Sequence, residues 1–406
     1  VIKVFCLILL ICAFSLDSPH NIFYGLIEII KAPDILLTDY IAVGGVGAAF
    51  FNASMMGFIN ILLLKRFKSE ITGLSFAALL TVIGFSFIGK NIFNFWPIYV
   101  GGYLYAKLKS IKFNTIILQL MFATTLAPIV SEMMFGTYLP VPFGFILGVS
   151  LGIIVGFVIV PISETIFKSH EGYTLYNVGL SGGLLGTMIF SVLRSFDLII
   201  QTQDILSTAY HSFIIIFITL FSLSLIIVGF LFEKGSLKEY MHLLKRTGQS
   251  PSDFLNDYKL GTTYINMGCM GIVSVLFVYL SGGVFNGPII AGILTVVGFS
   301  AFGKHPLNVI PVLVGVSLAS YLKVWEASST VVLIGGLFGT TLAPITGEFG
   351  ILAGILAGFL HLSMVMNIGV IHGGTNLYNN GFAGGIVSII LVSVLKNLSN
   401  KDYDNA

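Results

Sequence analysis

Apolar runs, cut by short clusters of charged, Pro, Gly and Asn residues, fill this chain from end to end. They fall near 2–16, 41–64, 71–88, 92–106, 114–130, 138–160, 172–193 and 207–232, then near 262–281, 288–302, 307–322, 328–343, 349–370 and 376–396. A helix that spans a bilayer needs about 20 apolar residues. Several of these pieces have only ~15, a length that suits re-entrant or broken helices as well as spans. The pattern predicts an all-α integral membrane protein. The run Ile2 to Leu16 is read as a retained span rather than a signal peptide: Lys3 is its only leading basic residue, and no small-x-small site precedes Asp17.

Composition narrows the class. Of 406 residues, 56% are apolar and 9% charged, against about 25% charged in soluble domains. That excludes a soluble enzyme, a disordered chain and a nucleic-acid binder. The 46 glycines predict closely packed or broken helices. The three cysteines, all in apolar runs, form no disulfide framework or thiolate metal site. The preference for Lys (17) over Arg (3) suggests an AT-rich bacterial genome. If all fourteen pieces cross, 16 of the 20 basic residues fall on one side, leaving only Lys31, Lys90, Arg194 and Lys323 on the other. The positive-inside rule then places both termini in the cytoplasm, and the location is a bacterial inner membrane. The polar connector Glu233 to Leu260 lies on the same side, as a solvated linker or a short amphipathic helix.

Four landmarks occur twice, in the same order. N-x-x-x-M-G starts at Asn52 and Asn266. T-V-x-G-F-S-x-x-G-K runs from Thr81 to Lys90 and from Thr295 to Lys304. T-T-L-A-P-I-x-x-E runs from Thr124 to Glu132 and from Thr340 to Glu348. H-x-G-x-x-L-Y-N-x-G-x-x-G-G runs from His170 to Gly183 and from His372 to Gly385. The offsets are 214, 214, 216 and 202 residues. The chain is thus a duplication: 1–40 an N-terminal span and external loop, 41–193 the first repeat, 194–260 a connecting span and linker, 261–396 the second repeat, 397–406 a polar tail. Seven pieces separate equivalent points, an odd number, so the two repeats of about six segments are expected to be inverted; one re-entrant pair would make them parallel, and the lysine sorting favours inversion, with a binding or permeation site between discontinuous helices.

The repeated elements supply candidate chemistry. Pro128 and Pro344 are expected to break their helices, turning freed carbonyls and the hydroxyls of Thr124, Thr125, Thr340 and Thr341 toward a polar path. Glu132 and Glu348 are paired site carboxylates or, alternatively, interfacial caps of the next helix. Tyr176, Asn177, Tyr378 and Asn379 precede glycine-rich helices and are path residues; the alternative, close packing with an Asn cap, explains the glycines well but the repeated Tyr-Asn pair less well. Asn52 and Asn266 join the path set. His170 and His372 are gating candidates or structural histidines. Lys90 and Lys304 read as lysines that snorkel to the interface or, alternatively, as cations that select against positive solutes. The G-F-S-x-x-G-K element lacks the Ser/Thr of a phosphate loop, since Asn91 and His305 follow. No metal site or cofactor is expected, and no nucleophile–base pair suggests an enzyme.

The order of Phe51-Asn52, Gly84 to Asn91, Thr124 to Pro128 and Tyr176 to Gly183, each with a second copy, resembles the bacterial urea-transporter family. That resemblance implies two inverted halves around a path for a small polar solute. The N-P-x-T-G prolines of that family are absent at Asn177 and Asn379. The chain also resembles a bacterial domain-of-unknown-function family of polytopic membrane proteins, which implies no substrate. The function expected is a transporter or channel for a small, urea-like solute, with a proton- or cation-coupled carrier and a non-transporting scaffold as alternatives. Its partners are the bilayer and the solute, and a homo-oligomer is compatible with the sequence.

Overall fold

Backbone N–H and C=O groups find no water in hydrocarbon, so apolar runs of this length satisfy them internally as helix. A computed structural model describes residues 1–34, 37–136, 138–198, 200, 204–231, 233–322, 325–369, 371–372 and 379–398. Its first part comprises α1 (Ile2–Leu16), α2 (Pro19–Lys31), α3 (Tyr40–Gly44), α4 (Val46–Arg66), α5 (Gly73–Phe85), α6 (Trp96–Leu108), α7 (Ile117–Ala123), α8 (Ala127–Phe135), α9 (Val141–His170) and α10 (Asn177–Ser195). Then come α11 (His211–Leu231), α12 (Leu237–Leu243), α13 (Phe254–Asp257), α14 (Leu260–Leu280), α15 (Gly287–Phe299), α16 (Pro306–Leu322), α17 (Thr330–Gly339), α18 (Ala343–Phe349), α19 (Ile351–Ile368) and α20 (Asn379–Leu398). Every predicted apolar piece is helical.

Among the described residues, nine helices or helix pairs are long and apolar enough to cross a membrane. α9 and α11 turn large apolar side chains outward, including Phe143, Ile146 and Ile154 on one and Ile216, Leu220 and Ile227 on the other. A water-facing surface would not tolerate this; a lipid-facing one requires it. This is a multi-pass membrane protein.

Three local expectations change. The stretch expected as an external loop before residue 40 contains α2, which turns back 112° from α1. Pro19 sits in its first turn, where a missing N–H costs nothing, and Ser18 caps it by accepting from Asn21 N. The connector after Glu233 contains α12 and α13, and it is no free linker: Leu243 and Phe254 are fully buried. Finally, the helix break at Pro128 and Pro344 is only local: the α-helix gives way to a 3-10 turn just before each proline and then resumes. Each proline falls in the first turn of α8 or α18, just after a 3-10 turn (Thr124–Leu126, Thr340–Leu342), and each pair of helices continues as a single span.

The helices from α4 to α10 recur as α14 to α20 in the same order, and α1 lies along α4 as α11 lies along α14. Contacts between the two halves are reciprocal. Asp253 Oδ1 accepts from Gly73 N at the start of α5 (2.9 Å), and Asp39 Oδ2 accepts from Gly287 N at the start of α15 (3.3 Å). Phe85 stacks on Phe338 at 5.4 Å, and the Phe122 ring meets that of Phe299, tilted, at 5.5 Å. A methyl on Gly84 would lie 3.0 Å from Ala291, and one on Gly298 3.0 Å from Ala77. Such exchange of equivalent residues is what a local two-fold axis produces. The end of α5 lies beside the start of α15, and the reverse, so this central pair is antiparallel.

Candidate functional site

The site is built where helices stop. α5 starts from a capping box, in which Thr72 Oγ1 accepts from Ser75 N and Ser75 Oγ from Thr72 N. α15 starts from Asn286, whose Oδ1 accepts from Ile289 N. Both helices end at equivalent phenylalanines, Phe85 and Phe299, and the chain then runs irregularly until α6 or α16 begins. Non-helical backbone this deep must be satisfied by the protein itself. Asn52 Nδ2 donates to the carbonyls of Ser86 (2.7 Å) and Lys90 (2.9 Å). Asn266 Nδ2 donates to those of Ser300 (2.7 Å) and Lys304 (2.8 Å). The two asparagines therefore brace the breaks; they do not line the cavity described next.

Each break carries a lysine. Lys90 and Lys304 are both 0% exposed, which corrects their reading as interfacial snorkels. Lysines ending an apolar run usually reach water, but here the chain folds back over them. Lys304 Nζ donates to Tyr176 Oη (2.6 Å) and Thr340 Oγ1 (2.7 Å) and stands 4.5 Å from the Tyr176 ring centroid. Lys90 Nζ has no hydrogen-bond partner among the described residues and lies 5.7 Å from the Phe85 ring centroid.

Between the halves lies a cavity of about 170 Å³. Its walls repeat the local symmetry: Thr81 with Thr295, Phe85 with Phe299, Phe122 with Phe338, and Gly179 with Gly381. Tyr176 and Asn177 also face it. Glycine is required at the axis, since a Cβ on Gly381 would fall 2.7 Å from Gly179 Cα, so the N-terminal turns of α10 and α20 meet backbone to backbone. No acidic side chain is among its described lining.

The remaining candidates divide. Thr124 and Thr125 donate to the carbonyls of Met121 and Phe122 within their own span, and Thr340 donates to Leu337 O while accepting from Lys304. Thr341 Oγ1 ties the halves together by accepting from Leu175 N (3.1 Å) and Tyr176 N (3.0 Å). His170 Nδ1 accepts from Gly172 N, so its Nε2–H donates to Asn177 Oδ1 (3.0 Å). His372 pairs with Asn379 Oδ1 through its other ring nitrogen, Nδ1, at 2.5 Å. The histidines thus position the asparagines that open α10 and α20. Glu132 is buried beside Asp34, whose Oδ2 accepts from Asn94 Nδ2, a group that also donates to Ser131 Oγ. Glu348 is half-buried near Tyr173. The two carboxylates do not converge on the cavity. Tyr378 lies outside the described residues. No group of three or more His, Cys, Asp or Glu that could hold a metal ion occurs among the described residues.

Fold and site define a duplicated multi-pass membrane protein with a cavity where its halves meet. The chain belongs to the family described as protein of unknown function (DUF1576), whose pattern matches residues 18–195 and 232–397, one segment on each half. No curated protein and no solved structure gives a significant match.

Proposed function

We propose that this protein is a transporter or channel that moves a small polar solute, urea-like in size, through a path between two inverted halves. The observation that carries this reading is the cavity at the local two-fold, flanked by two broken helices and lined by equivalent residues of both halves. A structural scaffold has no need of a cavity whose mainly apolar wall carries hydroxyls at equivalent positions of both halves. Hydroxyls, rings and backbone amides face that cavity, a set suited to replacing a solute's water shell rather than to transforming it. The setting proposed is a bacterial inner membrane, with both termini cytoplasmic. Antiparallel packing of α5 on α15 supports inversion across the bilayer. Cysteines replacing exposed Lys107 and Tyr321, at equivalent points of α6 and α16, are then expected to react with impermeant thiol reagents from opposite faces; labelling from one face would rule inversion out.

Coupling to protons or cations is the second reading. Glu132 favours it: this carboxylate is 1% exposed and leaves Oε2 without a hydrogen bond among the described residues. Uptake of urea and small amides into proteoliposomes, with and without pH or sodium gradients, tests both readings. A channel gives gradient-independent uptake. A coupled carrier gives accumulation that collapses in Glu132→Gln. Absence of flux for any small neutral or charged solute removes both.

A further inference from the structure

The electrostatics of the cavity go beyond a neutral solute. Two amines stand immediately behind its aromatic wall. Lys304 Nζ is 5.3 Å from the Phe299 ring centroid and bonds the hydroxyl of Tyr176, and both residues face the cavity. Lys90 Nζ, behind Phe85, has no described hydrogen-bond partner. Neither lysine takes part in the two ion pairs found among the described residues, Arg246–Asp257 and Lys396–Glu171. A buried amine without a counter-charge favours its neutral form, so an anion arriving beside it supplies the counter-charge that favours the ammonium.

The backbone adds the same sign. Helix N-termini carry partial positive charge and unsatisfied N–H groups. α10 has no side-chain cap, and its first residues, Asn177 to Gly179, face the cavity, met there by Asn380 and Gly381 of α20. A second polar group also awaits a partner. Thr81 Oγ1, 1% exposed, lines the cavity without a hydrogen bond. With no acid in the described lining, the site complements an anion.

We infer that the solute of this path is a small organic anion, a short-chain monocarboxylate, attracted by Lys90 and Lys304 and received by the meeting N-termini of α10 and α20. The inference rests on the path reading above. Size agrees: about 170 Å³ corresponds to roughly five or six waters at ~30 Å³ each, the bulk of a carboxylate with a few carbons. Lining agrees too, since Phe85, Phe122, Phe299 and Phe338 would accept a short alkyl tail. They offer nothing to a bare inorganic anion that has shed its water.

The test compares butyrate with butyramide, its neutral isostere, on the full chain. Binding to detergent-purified protein is measured by calorimetry, and flux by tracer uptake into proteoliposomes corrected for protein-free vesicles. Butyrate is expected to bind and move. Butyramide and chloride are expected to bind at least about tenfold more weakly, as loss of a charge-assisted contact implies. Lys90→Gln and Lys304→Gln should each weaken butyrate binding by about the same factor, and the charge-keeping Lys→Arg variants should restore it. Equal or tighter handling of butyramide would overturn the anion assignment while leaving a neutral-solute path standing. If neither compound binds nor moves, the monocarboxylate inference falls, while the path reading stands or falls with the uptake of urea and small amides described above. The wild-type comparison decides these outcomes even where a lysine variant fails to fold.

Discussion

Gly156→Val is expected to leave no folded protein, and Gly358→Val to do the same in the second half. In α9, a Cβ at Gly156 would fall 1.9 Å from Ile98 O of α6; in α19, one at Gly358 would fall 2.0 Å from Val312 O of α16. The obstruction is backbone on both sides, so no rotamer change relieves it. The contact is also mutual. Gly101 of α6 and Gly315 of α16 lie under the carbonyls of Ile153 and Ile355, each 2.0 Å from where a Cβ would stand. Each helix pair is therefore keyed by two glycines, and one methyl forces the helices apart along their whole contact. Without a hydrophobic force between helices in lipid, close packing is what holds them, so the cost should exceed the ~1–3 kcal/mol typical of core overpacking. Fluorescence-detected size-exclusion of detergent extracts checks this. The monodisperse peak should vanish for both valine variants and persist for Leu352→Ala, a control at a position 83% exposed.

Those glycines illustrate what was legible in the sequence. The helical class and the duplication follow from apolar run length and from motif order, because the bilayer leaves the backbone few alternatives; the number of spans does not, since fourteen apolar runs yield nine helices or helix pairs long enough to cross among the described residues. The landmarks Tyr176, Asn177 and Gly179 were likewise readable as site elements, since a repeated Tyr-Asn pair before a glycine-rich helix has little purely structural explanation. Lys90 and Lys304 were not. A lysine ending an apolar run has the same local pattern whether it reaches water or is folded under, and only the tertiary course of the broken segment decides. Their repetition within G-F-S-x-x-G-K was the available signal. The proline motif misled for a related reason. Pro128 is incompatible with a helix interior but ideal in a first turn, and the 3-10 turn at Thr124–Leu126 that resets the register leaves no mark in the residue pattern. Glu132 and Glu348 occupy equivalent positions in the repeat, yet their surroundings differ, because Asp34 faces only one of them. The polar groups in the mainly apolar wall of the cavity were invisible for a simpler reason: Thr81 and Thr295 lie mid-helix among apolar neighbours, and only the crossing of α5 with α15 brings them together.

That threonine pair gives the most direct access to the central claim, that solute passes through the cavity between the halves. In a chain whose Cys6, Cys12 and Cys269 are replaced by serine, Thr81→Cys or Thr295→Cys puts one thiol into the cavity wall. With only about 170 Å³ available, a methanethiosulfonate adduct would occupy most of the space. Modification at either position is expected to abolish uptake into proteoliposomes, with saturating solute slowing the reaction. Equal sensitivity at the two sites would reflect the shared axis. Stoichiometric labelling, verified by intact mass, with uptake unchanged would contradict a path through this cavity.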